Sequence, residues 1–184
     1  MSEVLCVGLS CMDVLMKDVD LNTPFVSESK TAGQITVGVG GDAANEAVIL
    51  SRLGHDVSVM TGIADDGTGD FIKNYLLKNN VDMTSSVITE GGESAVNVIV
   101  IHHNGDRNFI NSGVPKAADF DPDLTKIRDV KVVSLASMFM PPFEDPAKVK
   151  MVAQKAKEVG AVTCLDVLVK EDSRLEEYKE ALPY

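Results

Sequence analysis

Residues 39–69 read VGGDAANEAVILSRLGHDVSVMTGIADDGTG, and the predicted architecture is built around this segment. Glycines at positions 40 and 41 let the backbone turn sharply and leave room for a ligand to approach. An alanine-rich helix follows, with Asp42 as its predicted N-cap and Gly54 as its predicted C-terminal stop. Because this helix carries little polar surface, we predict that it is buried.

The start of this helix is a candidate binding site. Its unpaired backbone N–H groups suit hydroxyl oxygens or an anion. Asn45, one turn into the helix, can both donate and accept hydrogen bonds, which reading a sugar hydroxyl requires. A Gly-Gly turn from strand to helix also occurs in proteins without any ligand. On the residues alone, both interpretations of Gly40 and Gly41 stay open.

The same glycines begin a longer, ordered pattern. The chain contains, in sequence, Gly40-Gly41-x-x-x-Asn45-x-Ala47, Leu53-Gly54 and Gly62-x-Ala64-x-Asp66-x-x-Gly69. Several spaced matches are more specific than one glycine motif, and this order resembles the N-terminal signature of the ribokinase-like (PfkB) carbohydrate kinases. The resemblance implies that the Gly-Gly turn and Asn45 bind the sugar or nucleoside that accepts the phosphoryl group. Ala64 stands where the family usually has glycine, so we expect a local backbone adjustment there.

Asp13 is a further candidate for the acceptor site. Residues 4–9 form a continuous apolar run, which is typical of a buried strand in a parallel sheet, and Asp13 follows its carboxyl end. Ligands collect at that end of strands in open α/β sheets, although a carboxylate there can also cap a turn. The spacing Gly8-x-x-x-x-Asp13 resembles the same family, in which this Asp holds substrate hydroxyls. The resemblance therefore favours the binding role.

Strand-like and helix-like segments alternate along the rest of the chain. This alternation predicts an α/β fold, a three-layer α/β/α sandwich around a parallel central sheet. Further strands are predicted at 57–60, 130–135 and 162–167, and helices at about 70–78, from Pro146 to just before Gly160 with Asp145 as N-cap, and from about Ser173. The resemblance implies that residues 1–184 are the N-terminal part of one ribokinase-like domain that is incomplete at its C-terminus.

A small second sheet is predicted from strands within about 14–19, 34–37 and 95–111, with a polar loop at about 22–31. Asn104-Gly105 is a strong hairpin signal. The resemblance implies that this sheet is a lid over the sugar and that a homodimer forms through it. Gly105-Asp106-Arg107 looks like the family's Gly-x-Arg hairpin, in which Arg107 either contacts an anionic substrate group or is a solvated turn residue.

Ser137 and Asp166, in the second half of the chain, also resemble residues of the family. Ser137 lies where the resemblance places the end of a third substrate-contacting strand, so it is a candidate substrate ligand. Asp166 resembles the Asp of a family Asp-x-Asn segment, but Leu168 stands in the place of the Asn. We therefore assign no role to Asp166.

Composition, residue spacing and the N-terminal sequence disfavour several classes of function. A net charge of −11 and a pI of about 4.6 disfavour nucleic-acid binding, which depends on Lys and Arg. The three cysteines and three histidines have no metal-ligand spacing, and the cysteines favour a reducing compartment. The N-terminus has no basic leader and no apolar run is long enough to span a bilayer. We expect a cytoplasmic protein without nucleic-acid or membrane partners.

The elements that a kinase needs for ATP are not found in these residues. A kinase holds ATP and Mg²⁺ and deprotonates the attacking hydroxyl, but the chain has no Walker loop and no G-x-G-x-x-G strand and helix pair. The resemblance places an Asn-x-x-Glu segment and a late Gly-x-Gly-Asp helix start, whose Asp is the base, beyond Tyr184. We expect ATP and Mg²⁺ for the intact enzyme, and an acceptor site but no phosphoryl transfer for residues 1–184 alone.

Three hypotheses follow. The first is an ATP-dependent kinase that phosphorylates a hydroxyl of a sugar or nucleoside. The second is a non-catalytic sugar-binding or interaction module derived from such a kinase. A dinucleotide-dependent oxidoreductase is disfavoured because no glycine fingerprint follows the first strand. The sequence does not select among pentose, hexose, keto-sugar acid and nucleoside acceptors.

Overall fold

A computed structural model describes residues 2–19, 29–113, 115–167 and 174–179. Within these ranges the chain forms β1 (Val4–Val7), β2 (Cys11–Lys17), β3 (Gln34–Gly40), α1 (Asp42–Arg52), β4 (Val57–Met60), β5 (Gly62–Ala64), α2 (Gly67–Lys78), β6 (Val87–Thr89), β7 (Val96–Ile101), β8 (Arg107–Asn111), β9 (Val132–Met138), α3 (Pro146–Glu158) and β10 (Val162–Val167). Short 3₁₀ helices span Leu124–Lys126 and Arg174–Tyr178. None of the described helices is both long and apolar enough to cross a membrane.

The central sheet has the strand order β10-β9-β1-β4, and all of its pairs are parallel. A buried apolar cluster on one face joins the sheet to α1 and α2, through residues such as Ala47 and Ile72. A second cluster on the other face joins it to α3, through Val149 and Val152. Helices therefore cover both faces of the sheet, and the predicted three-layer sandwich is confirmed.

The predicted caps of two helices have different outcomes. Helix α3 begins as predicted, with Pro146 in its first turn and the Asp145 carboxylate accepting a hydrogen bond from Ala147 N at 2.8 Å. The predicted capping role of Asp42 is wrong, because Asp42 is the first helical residue of α1 and no side chain caps that helix. Gly41 is the N-cap, with φ +87°, and a Cβ there would lie 2.4 Å from the Leu9 carbonyl oxygen. Both the positive φ and the lack of room for a Cβ require glycine at position 41.

Helix α2 begins at Gly67, three residues before the predicted start, because Asp66 caps it. Asp66 Oδ1 accepts hydrogen bonds from Gly69 N at 2.6 Å and Ser94 Oγ at 2.7 Å, and Oδ2 accepts one from Ser94 N at 2.9 Å. The Asp66 side chain thus ties the helix to the segment before β7. The helix predicted from about Ser173 is a 3₁₀ helix, Arg174–Tyr178, and Ser173 itself lies outside the described residues.

Replacing Asp66 with Ala is expected to lower the free energy of unfolding by about 2 kcal/mol at pH 6, because a helix cap and its link to Ser94 are lost. Burial acts to raise the pKa of Asp66, but the hydrogen bonds from Ser94 and Gly69 outweigh it and lower this pKa from 3.8. A carboxylate whose pKa is lower in the folded state stabilises the fold above the unfolded-state pKa and loses that contribution as the pH falls through the folded-state pKa. The difference between wild type and D66A should therefore shrink below about pH 4.

Urea unfolding of both proteins between pH 6 and pH 3 measures this difference. Asp70→Ala is the matched control, because Asp70 is an exposed carboxylate in the same first helical turn. We expect D70A to cost less than half as much as D66A. A D66A effect that stays constant down to pH 3 would contradict the assigned role of the charged carboxylate.

The second sheet has the strand order β3-β2-β7-β8. Strand β2 pairs antiparallel with β3 and parallel with β7, and β7 and β8 form the antiparallel hairpin predicted from Asn104-Gly105. Strand β2 begins three residues before its predicted range and ends two residues before the predicted end, so it contains Asp13. Strand β3 continues three residues past its predicted end and contains Gly40. Most of the loop predicted at about 22–31 lies outside the described residues. We call the side of this sheet that carries Asp13 the inner face and the side that carries Val14 the outer face.

Candidate functional site

Asp13 lies directly above the backbone of Gly40. The two residues are on the adjacent strands β2 and β3, whose register pairs Cys11 with Gly40. A Cβ at position 40 would lie 2.0 Å from Asp13 Oδ2 and 2.8 Å from Asp13 Oδ1. Such distances are too short for any side chain, so the carboxylate occupies this place because residue 40 is glycine.

The two carboxylate oxygens of Asp13 have different surroundings. Oδ1 accepts hydrogen bonds from Asn97 Nδ2 at 3.2 Å and from Cys11 Sγ at 3.4 Å. Burial, reinforced by the Asp13 and Asp42 carboxylates, raises the pKa of the Cys11 thiol far above its usual range, so the thiol stays protonated and donates. No described residue donates a hydrogen bond to Oδ2. One oxygen is therefore held by the protein while the other is available to a ligand.

Ser137 and Asp42 connect β9 to the start of α1. Ser137 Oγ donates a hydrogen bond to Asp42 Oδ2, and Ser137 has φ +63°, in the left-handed region that residues other than glycine rarely adopt. Ser137 is almost fully buried. Its hydroxyl thus holds the Asp42 carboxylate, the first side chain of α1.

Glu46 is a half-buried carboxylate of α1 that the sequence did not single out. Its Oε2 accepts a hydrogen bond from Ser134 Oγ at 2.7 Å. Burial raises the pKa of Glu46; the Ser134 hydrogen bond opposes this, and the nearby carboxylates of Asp166 and Asp42 add to it. The signal that could have revealed it is a charged residue in the middle of α1, between the apolar pairs Ala43-Ala44 and Ala47-Val48. Carboxylates therefore dominate the environment of the first turn of α1.

Neither Asn45 nor Arg107 forms a hydrogen bond with Asp13 in the part of the chain that the structure describes. Asn45 is the fourth residue of α1, its side chain is exposed, and its backbone N–H bonds to the Gly41 carbonyl at 3.0 Å. Arg107 is exposed at the start of β8, on the inner face and four residues from Asn111. Four residues of strand span about 14 Å, which places Arg107 at the far end of the sheet from the glycine turn.

The sequence model of the pfkB family carbohydrate kinases matches residues 1–184. The chain belongs to the pfkB family. This pfkB-family chain is 28% identical over 176 residues to the 5-dehydro-2-deoxygluconokinase of Clostridium perfringens, covering 90% of this chain and 48% of that protein. It is 29% identical over 168 residues to the ATP-dependent ribose-1-phosphate kinase of Halopiger xanaduensis, covering 90% and 54% of the two chains.

Solved structures show the same fold for the pfkB-family chain. The ribokinase of Arabidopsis thaliana, solved in complex with ribose and ATP, superposes with a TM-score of 0.75 at 20% identity, over 90% of this chain and 53% of that one. The predicted ribokinase-like fold is thereby confirmed. The chain spans about half the length of the curated relatives it matches.

Among the described residues, no three His, Cys, Asp or Glu side chains are placed to hold a metal ion together. Ser137 donates to the Asp42 carboxylate and Ser134 to the Glu46 carboxylate, and Asp166 and Asp42 add to the raised pKa of Glu46. The arrangement at Asp13 is suited to binding hydroxyl groups.

Proposed function

We propose that the whole protein transfers the γ-phosphoryl group of ATP to a hydroxyl of a sugar or nucleoside, and that residues 1–184 bind this acceptor. The observation that carries the proposal is the Asp13 carboxylate above Gly40, with Oδ1 held by Asn97 and Oδ2 available. A carboxylate oxygen at the start of a helix, beside free backbone N–H groups, can orient an acceptor hydroxyl through charge-assisted hydrogen bonds. Family membership supports the same reaction class.

Within this proposal each site residue has a distinct role. Asp13 accepts hydrogen bonds from acceptor hydroxyls, while Gly40 and Gly41 allow the acceptor to reach the first turn of α1. Asn45 extends the same surface by one helical turn. Ser137 acts through Asp42, which it holds in place. Orienting the acceptor in this way supplies much of the rate enhancement, because phosphoryl transfer depends on how the reacting groups are positioned.

Arg107 keeps a narrower role in the proposal. Its exposed position at the start of β8 is compatible with a contact to an anionic group of the acceptor, or with a solvated turn residue. The second sheet is proposed to act as a lid that excludes water from the acceptor.

The catalytic base is proposed to lie outside these 184 residues, which would then form the N-terminal part of one larger domain. The Asp42 side chain is engaged by Ser137, so it is not our candidate for the base. ATP and Mg²⁺ would supply the phosphoryl group and neutralise its charge in the whole protein. Residues 1–184 then bind and orient the acceptor and do not turn over ATP alone.

A homodimer through the second sheet is proposed as well. Its outer face exposes Ile35, Val37 and Ile110, whose side chains are 59%, 52% and 62% accessible. An apolar surface of this kind suits a symmetric contact with a second copy.

We also propose a reducing compartment such as the cytoplasm. Three unpaired cysteines, Cys6, Cys11 and Cys164, support this location.

Calorimetry and an ADP-release assay on the purified 184-residue chain test the proposal. The probes are D-ribose, D-fructose, D-gluconate and adenosine, each with and without Mg-ATP. We expect saturable binding of at least one probe, at least tenfold weaker in Asp13→Ala, and no ATP turnover. Acceptor-dependent turnover by this chain would refute the placement of the base. If the full-length product of the natural gene binds the same probe but never phosphorylates it, the alternative of a non-catalytic binding module holds.

A further inference from the structure

The inner face of the second sheet carries three rows of side chains that run across its strands. Asp13 belongs to the row nearest the glycine turn, Leu15 to the middle row and Lys17 to the far row. Strand register pairs Lys17 with Ile101 of β7 and Ile101 with Arg107 of β8. Because paired residues on neighbouring strands project to the same side, Lys17 and Arg107 flank Ile101 on the face that is proposed to close over the acceptor.

Lys17 and Arg107 are exposed cations without partners among the described residues. Neither side chain forms a hydrogen bond or an ion pair there. Two described carboxylates at this end of the sheet have other partners, since Asp18 Oδ1 lies 2.9 Å from His103 Nδ1 and Asp106 accepts a hydrogen bond within its own turn. In a chain with a net charge of −11, Lys17 and Arg107 therefore form a local positive site on the inner face.

The middle row separates the two charged rows with apolar side chains. Leu15 pairs with Ile99, and Ile99 pairs with Phe109. Ile99 is buried, whereas the side chain of Phe109 is 55% accessible. A carbohydrate that crosses this row can place its C–H groups against Phe109 and keep its hydroxyls for the row of Asp13, because burial of apolar surface is favourable.

The spacing of the rows separates an anion at the far row from the carboxylate of Asp13. Alternate residues of a strand are about 7 Å apart, so the backbone of Lys17 is about 14 Å from that of Asp13. This distance exceeds the Debye length of about 8 Å at physiological ionic strength, so Asp13 repels an anion at the far row only weakly. The flexible stems of Lys17 and Arg107 let their charged groups lean over the middle row, which shortens the span that an acceptor must bridge.

We propose that the acceptor is a polyhydroxylated molecule with an oxyanion, a carboxylate or a phosphate, at the end away from Asp13, and that Lys17 and Arg107 bind this group. This inference rests on the proposed function and adds to it the charge of the acceptor. Hydroxyls at one end donate to Asp13 Oδ2, and the oxyanion accepts hydrogen bonds from the ammonium and guanidinium groups. Because these ion pairs are exposed, they should strengthen binding by about tenfold, and salt should weaken the preference.

Two matched pairs of probes test the charge of the acceptor on the 184-residue chain. D-gluconate carries a carboxylate where D-glucitol carries a hydroxymethyl group, and D-ribose 1-phosphate differs from D-ribose by a phosphate. Calorimetry at pH 8 in about 50 mM NaCl should show at least one anionic probe binding about tenfold tighter than its neutral partner, and the pair concerned distinguishes carboxylate from phosphate. In about 500 mM NaCl this preference should fall at least threefold.

Failure of this inference can be distinguished from failure of the proposed function. If the neutral members of both pairs bind as tightly as their anionic partners, or tighter, this inference is overturned while the proposed function stands. A preference that salt leaves unchanged also overturns it, because exposed ion pairs are screened. If no probe, charged or neutral, binds at millimolar concentration, the proposed function fails and this inference fails with it.

Substitutions of the two cations test where the oxyanion binds. Lys17→Gln and Arg107→Gln should each lower the ratio of anionic to neutral affinity about threefold, and the double variant should bring this ratio close to one. Their thermal unfolding midpoints should stay close to that of wild type, because both side chains are exposed.

Lys73→Gln is the matched control, because Lys73 is an exposed cation of α2 and its replacement changes the net charge by the same amount. The ratio of anionic to neutral affinity in K73Q should stay within about twofold of wild type. A double variant of Lys17 and Arg107 that keeps the full preference, or an equal loss of preference in K73Q, overturns the assignment of the oxyanion to these two residues.

Discussion

Gly62→Ala is expected to lower the free energy of unfolding by about 3 kcal/mol or more, a large share of the stability of a domain this size. A Cβ at position 62 would lie 1.7 Å from the carbonyl oxygen of Ala117 and 2.9 Å from Phe120 Cδ1. The first of these atoms is backbone and cannot rotate away. Strand β5 and the segment that contains Ala117 would have to separate, which would open the buried cluster around Phe120.

Urea unfolding of G62A measures this cost, and Gly67→Ala is its matched control. Gly67 lies in the first turn of α2, and a Cβ there would meet nothing within 4 Å. Alanine favours the helix, so G67A should be neutral or up to about 1 kcal/mol more stable. Equal destabilisation by both substitutions would show that close approach to Ala117 is not the cause.

Gly40→Ala is expected to weaken acceptor binding by about 100-fold while changing the free energy of unfolding by only about 1 kcal/mol. The added methyl group would overlap the carboxylate of Asp13, which is the end of a side chain and can rotate away. Rotation relieves the clash but removes Asp13 from Asn97 and from the acceptor. Stability and binding should therefore respond very differently to this single methyl group.

Calorimetry with the tightest-binding of the four probes, combined with urea unfolding, measures both effects. Gly38→Ala is the control, because Gly38 lies on the same strand, pairs with Asp13 in register, and has nothing within 4 Å of its added Cβ. We expect G38A to bind within about threefold of wild type. Normal binding by G40A, or an equal loss in G38A, would remove the support for Asp13 as the residue that binds the acceptor.

Several elements could be predicted from neighbouring residues alone. Asp145 and Pro146 begin α3, and Asn104-Gly105 joins β7 to β8, as the local sequence indicates. Strands β4 and β10 have their predicted bounds. Capping, turn formation and strand patterning depend on residues within a few positions of each other, so they can be recognised without knowledge of the fold.

Other features depend on residues that are distant in the chain. Asn97 contacts Cys11 across 86 positions, and Ser137 contacts Asp42 across 95. Asp42 was expected to cap α1 from its place in the sequence, but its partner is at the end of β9. Strand register determines such contacts, and no local pattern specifies which side chain from a distant strand will face a given carboxylate.

The sequence by itself determined the family, the α/β class, most helix and strand positions, and the glycine turn with Asp13 as the place to look for an acceptor. Tertiary structure decided that Gly40 supports the Asp13 carboxylate, that Asn97 orients it, and that Arg107 lies far along the sheet. The physical reason is that backbone preferences act over a few residues, whereas side-chain partners are selected by the pairing and packing of the whole chain.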